Sequence, residues 1–193
     1  MTLFERYLEK GEAYGCNQNA VALATWVGQS FTIGTTGDNL DHKLTSIGLW
    51  ARRRASPGNC TIEVYKCDAS HKPTGAALDT MTFDSIVLTL DVSGALYTAL
   101  FTGGAILEAS TEYCFIAKAL AAGALEYVYL LGGSTTAPCA EALYGGWGRK
   151  LETINSGVAW TVSATQSIYF QEIGHLLVPP YNMTFAGNMA FKC

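Results

Sequence analysis

The chain has 193 residues, a net charge of −4, 49% hydrophobic residues and only 15% charged ones. That length suits one domain with ordered arms and buries a sizeable core, while the charged share falls below the roughly one quarter of an ordinary soluble domain, as in surfaces partly covered by neighbouring subunits. Apart from Arg52-Arg53-Arg54 at a strand end there is no basic cluster to hold nucleic acid, no apolar run long enough to cross a bilayer, and no signal-peptide pattern in Met1 to Tyr14, so a chain made and kept in a cytosol is expected.

From the N-terminus, residues 1 to about 15 read as a short helix. Leu3, Tyr7 and Leu8 fall on one face, Glu5, Glu9 and Lys10 on the other, and Gly11 and Gly15 stop it. So short a helix is marginal alone and must dock. From Trp26 the period changes to two: Gln29 to Ile33, then Ile47, Leu49 and Ala51, then Ile62 and Val64 with Glu63 and Tyr65 on the opposite face. Tyr113, Phe115 and Ala117 follow, then Ile168 and Phe170.

Turn clusters separate these runs: Gly34 to Asp38, Ser56-Pro57-Gly58-Asn59, Ser70 to Gly75, Gly103-Gly104, Gly132 to Ser134 and Gly145-Gly146. In one of them Asp68 is placed for an Asx turn and Gly75 for positive φ. Ala119 to Leu131 is compatible with a helix at first, but Gly123 and Tyr127-Val128-Tyr129 favour a strand from about Leu125. Many short strands with regular turns specify an all-β sandwich or barrel. After Gly174 the chain changes character: His175 to Cys193 carries scattered large apolar residues around Pro179-Pro180 and reads as an extended arm.

Catalytic and metal patterns are missing from the sequence. The six cysteines form no CxxC pair and no Cys/His cluster. Cys60 and Cys67 flank one strand of roughly 20 Å at about 3.3 Å per residue and cannot bridge across it. His42, His71 and His175 sit near turns and suit surface or capping roles. Asp38, Asn39 and Asp41 share a loop that could offer oxygens to calcium, with a solvated turn as the simpler reading. Neither an enzyme nor a cofactor is implied. Among the aromatics, Trp26, Trp50, Trp147, Trp160, Tyr127, Tyr129 and Tyr144 either anchor the core or form a sugar-stacking platform. Trp147, flanked by glycines, and Tyr144 are the candidate glycan contacts.

The order of these motifs carries a resemblance. Gln29 to Thr32, Leu44 to Ile47, Ser56 to Gly58, Thr61 to Tyr65 and Asp68 to Gly75 are followed by Leu107 to Tyr113. Ser156-Gly157 with Trp160, then Tyr169 to Gly174, complete the series. It resembles the jelly-roll-like β-sandwich modules of structural proteins from tailed phages and environmental viruses, which also occur as carbohydrate-binding-like appendages. The likeness covers about Trp26 to Gly174.

It implies an antiparallel jelly-roll-like sandwich over 26–174; this chain departs from such modules by adding a short helical N-terminal arm (1–25) and an extended C-terminal arm (175–193), additions typical of proteins that lock into a lattice. It also implies a virion protein assembled in the host cytoplasm, a capsid decoration or minor head protein of a tailed phage. Its partners would be copies of itself and the major capsid protein, with no nucleic acid and no membrane; the alternative is a glycan-binding or host-attachment module. The expected inter-subunit contacts are Leu3, Phe4 and Tyr7 at one end, and Leu176, Leu177, Val178, Tyr181, Phe185 and Phe191 at the other.

Overall fold

The period-two runs become strands. A computed structural model describes residues 1–7, 17–119, 126–134 and 149–177, and its regular structure is β apart from one 3₁₀ turn at Ser85–Val87. In chain order the strands are β1 (Thr2–Tyr7), β2 (Asn17–Val21), β3 (Trp26–Thr32), β4 (His42–Arg54), β5 (Asn59–Cys67), β6 (Pro73–Asp84) and β7 (Ala95–Leu100). The rest are β8 (Ile106–Leu107), β9 (Glu112–Ala119), β10 (Tyr127–Ser134), β11 (Lys150–Thr153), β12 (Thr161–Ser163), β13 (Gln166–Ile168) and β14 (Phe170–Leu176).

Two antiparallel sheets face each other. The six-stranded sheet runs β12-β11-β3-β9-β5-β6. The eight-stranded sheet is built on β4, which pairs with β14 along residues 42–49 and with β10 along 51–54 on one side. On its other side β4 takes β7 and β8. The chain bends at Tyr169 between β13 and β14, donating its amide to Leu131 O and accepting from the Trp50 amide. β1 closes one margin on β14, and β2 closes another on β10. The segment before Trp26 therefore contributes two strands to the larger sheet.

The core lies between the sheets. Val27 and Phe31 from β3, Ile62 and Val64 from β5, and Phe115 and Ala117 from β9 meet Ile47 and Leu49 from β4 and Phe170 from β14. Phe170 stands 5.5 Å from Phe31 and 5.6 Å from Phe115, both tilted, the geometry that aromatic quadrupoles favour. In β3 and β9 the expected in-out alternation is overridden: five successive residues of each are buried. Both are central strands, and their outer faces carry a second apolar cluster of Cys114, Ile116 and Leu151. Gly28 permits this close stacking, because a Cβ there would lie 2.1 Å from the Phe115 carbonyl oxygen.

The turns follow the sequence. Asp68 accepts from the amides of Ser70 and Lys72 at 2.8 and 3.0 Å, and Gly75 has φ +72°. The N-terminus does not: Thr2–Tyr7 is strand, not helix, paired with β14 through a bulge at Phe4. The bulge lets two successive side chains, Phe4 and Glu5, both be buried. A sheet margin supplies the backbone partners that so short a helix lacks in water. Residues 8–16 lie outside the described part. So does most of the expected C-terminal arm, of which only His175 to Leu177 is described, with Leu176 still paired to His42.

Candidate functional site

On the outer face of the six-stranded sheet, period-two geometry sends Trp26 from β3, Tyr65 and Glu63 from β5, and Ile116 and Lys118 from β9 to the same side. Trp160, from the connection between β11 and β12, packs against the cluster these residues cover. Trp160 caps this outer cluster. Trp26, Tyr65, Ile116, Lys118 and Trp160, together with Pro73, Ser156 and Gly157, line a cleft of about 200 Å³.

Lys118 is the polar centre of the cleft. Its ammonium lies 4.1 Å over the Trp26 ring and 5.8 Å from the centre of the Tyr65 ring, and it forms an ion pair with Glu63. Tyr65 donates its hydroxyl to the same carboxylate. Burial, and then the Glu63 carboxylate, raise the Tyr65 phenol above its ordinary value, so it stays a neutral donor. The Lys118 and Glu63 side chains are 12% and 17% exposed, shielded enough for their mutual attraction to hold both in place.

The loop beside the cleft is fixed by its own hydrogen bonds. Thr153 Oγ1 lies 2.6 Å from Asn155 Oδ1, which also accepts from the Ala159 amide at 2.9 Å. The Ser156 amide donates to Ala24 O at 3.0 Å, and the Gly157 amide to Thr153 Oγ1 at 3.2 Å. Gly157 has φ +88°, and a Cβ there would lie 2.7 Å from the Trp26 ring. On the other side the Trp26 indole N–H donates to Leu23 O. Ile154 and Val158, on the same loop, are 75% and 85% exposed.

A second surface runs along β4. The Arg53 amide bonds to Thr89 O, β7 pairs with residues 51 to 46, and β8 with residues 43 and 42, so residues 89–107 flank the whole length of β4. From Ser85 to Leu107 the only charged residue is Asp91. Leu90, Val92, Leu96, Leu100 and Ile106 are all exposed. β7 pairs without a register shift and, among the described residues, on one side only. It carries none of the Lys, Pro or bulges that usually blunt an edge strand.

The expected contact residues separate. Leu3, Leu176 and Leu177 are exposed at the β1–β14 margin. Phe4 is fully buried in its own chain, stacked on His42 with centroids 3.5 Å apart, and so is not free to contact a neighbour. Tyr7 pairs through its backbone with Phe170, and its side chain lies outside the described part, as do Val178, Tyr181, Phe185, Phe191, Tyr144 and Trp147. Arg52 lies 4.2 Å from the centre of the Tyr129 ring and bonds to Gln18, and Arg53 donates to Leu88 O; both are engaged within the chain.

His42 departs from the expected surface role. It is fully buried, 3.0 Å from Glu172 Oε1. Burial lowers its imidazole, but the Glu172 hydrogen bond and charge outweigh that, and it ends above its ordinary value. Burial raises Glu172 as well, against the pull of His42. His71 keeps a turn role at φ +64°, 2.9 Å from Glu112. Asn39 and Asp41 accept from the amides of Ser110 and Ala109, tying loops together, and among the described residues no group of three or more His, Cys, Asp or Glu could hold a metal. Cys60 is buried and its thiol is pushed up to about 12. Cys67 and Cys114 are free thiols beside the cleft's apolar cluster.

No family model matches the chain, and no curated protein does.

Proposed function

We propose that the chain is a virion structural protein, a capsid decoration or minor head protein built as a jelly-roll-like β-sandwich, which stabilises its particle by packing against copies of itself and other shell subunits. One observation carries the reading: among the described residues β7 is an open, uncharged edge with exposed Leu96 and Leu100, continued by Leu90, Val92 and Ile106. The order of sequence motifs supports it.

The occupant of this edge is a second copy. Antiparallel pairing of β7 with the same strand of another copy makes a two-fold, self-complementary contact and satisfies the free backbone groups of both. Burying each exposed Leu, Ile or Val adds about 1–2 kcal/mol. Five such side chains per copy, with the strand between them, offer an area of the order of the roughly 800 Å² that each partner contributes to a standard interface. Light scattering of the purified chain tests this, since self-association must weaken when Leu100 is replaced by Lys.

The second reading, a glycan-binding or host-attachment module, is favoured by the aromatic cleft on the opposite sheet, which lies away from this edge.

A further inference from the structure

The geometry points to the Trp26–Trp160 cleft as a binding site for one ring of a neutral saccharide. This inference deepens the recognition reading and is independent of self-association.

The ligand class follows from what the cleft already contains. Trp160 and Ile116 give the cleft apolar lining, while Lys118, seated on the Trp26 face, and Tyr65 and Ser156 give it polar lining. A sugar ring has the same two-sided character, with C–H groups on its faces and hydroxyls on its rim. The Trp160 ring covers the first, while the ammonium donates to hydroxyl oxygens and the Ser156 hydroxyl both donates and accepts.

Charge narrows the class. A cationic ligand would compete with Lys118, whose ammonium already occupies the Trp26 face. A carboxylate ligand would find the Lys118 charge already neutralised by Glu63. A ligand without net charge leaves this pair intact.

Size and rigidity narrow it further. The cleft holds about 200 Å³, below the roughly 300–1,000 Å³ of pockets that enclose drug-sized ligands, so it takes one ring and leaves the rest of a chain outside. Ile154 and Val158 stand exposed on the same loop, apolar surface for a neighbouring ring to lie against. The Thr153–Asn155 hydrogen bonds fix that loop before any ligand arrives, which spares the entropy of ordering it on binding.

The experiment is an amide and indole NMR titration of the full chain. The probes are neutral glucose and N-acetylglucosamine trisaccharides, a galacturonate trisaccharide as the charged control and a proline-rich peptide as the polypeptide control. The expected result is a saturable shift of the Trp160 indole and the Ser156 and Gly157 amides with at least one neutral probe. Binding should be about tenfold or more weaker for the galacturonate and in Trp160→Ala, a step of about 1.4 kcal/mol. If Trp160→Ala does not fold, Ser156→Ala and the wild-type shift pattern carry the test. Saturable shifts confined to other residues would overturn the cleft assignment while leaving glycan recognition standing. No saturable shift with any neutral saccharide would overturn both, and tighter binding of the peptide or the galacturonate would overturn the ligand class.

Discussion

The His42 imidazole lies flat against the Phe4 ring, 3.5 Å between centroids and 5° from parallel, while its Nε2 holds the buried Glu172 carboxylate at 3.0 Å. One side chain thus ties β1 and β14 to β4. Glu5 reinforces the seam from the next position, accepting from the Thr35 and Thr36 amides at 2.7 and 3.0 Å.

The pair makes stability depend on pH. The groups facing His42 are Glu172, Asp41 and, beyond Glu172, Glu5. His42 titrates above its ordinary 6.5 in the folded chain, so its contribution is full below that value and is lost as pH rises through the folded value. Glu172 is also raised, and its contribution has the same sign. Urea midpoints should therefore fall between pH 6 and pH 9. His42→Gln should flatten that slope and cost about 3–5 kcal/mol at pH 6, the range for removing one partner of a buried pair. A midpoint that rises over this interval would refute the assignment.

Lys118 serves two partners, so removing it costs more than removing either contact alone. Lys118→Met leaves the Glu63 carboxylate half-buried without its cation, and about 2–3 kcal/mol should be lost. Tyr65→Phe removes one hydrogen bond and should cost about 1 kcal/mol. In a double-mutant cycle with Glu63→Gln, Lys118→Met should show a coupling of about 1 kcal/mol or more, the range for residues in one network. Additive losses would mean the pair does not act as a unit.

Two glycines distinguish close approach from backbone conformation. Gly28→Ala drives a Cβ into the Phe115 carbonyl in the middle of the six-stranded sheet, and should cost more than about 3 kcal/mol, beyond ordinary overpacking. Gly75→Ala meets no atom within 4 Å but must adopt φ +72°, and should cost about 1–2 kcal/mol. Thermal melts of the two variants should rank in that order.

How far the sequence reveals this molecule depends on how local each feature is. Runs such as Thr61 to Tyr65 and Tyr113 to Ala117 declare their strands because alternation is a property of neighbours, and Asp68 and Gly75 declare their turn for the same reason. The first seven residues mislead because Leu3 and Tyr7 fit one helical face as well as they fit a strand, and β14, from the far end of the chain, decides the outcome. Trp26 and Trp160 are visible as aromatics, but nothing near either shows that Lys118 will lie over one of them. Trp147, singled out by its flanking glycines, lies outside the described residues; exposure can be guessed locally, convergence cannot. Likewise His42 looks like a turn histidine until Glu172 is brought to it.

The most direct test of the central claim is the solution mass of the full-length chain by light scattering, compared with the double variant Leu96→Lys, Leu100→Lys. The account predicts a dimer or larger species for the native chain that falls to monomer in the variant, with the variant still folded by circular dichroism because both side chains lie on the outer face. A native chain that stays monomeric at concentrations of about 100 μM, well above the micromolar range of weak specific interfaces, or an oligomer that the two lysines leave intact, would contradict it.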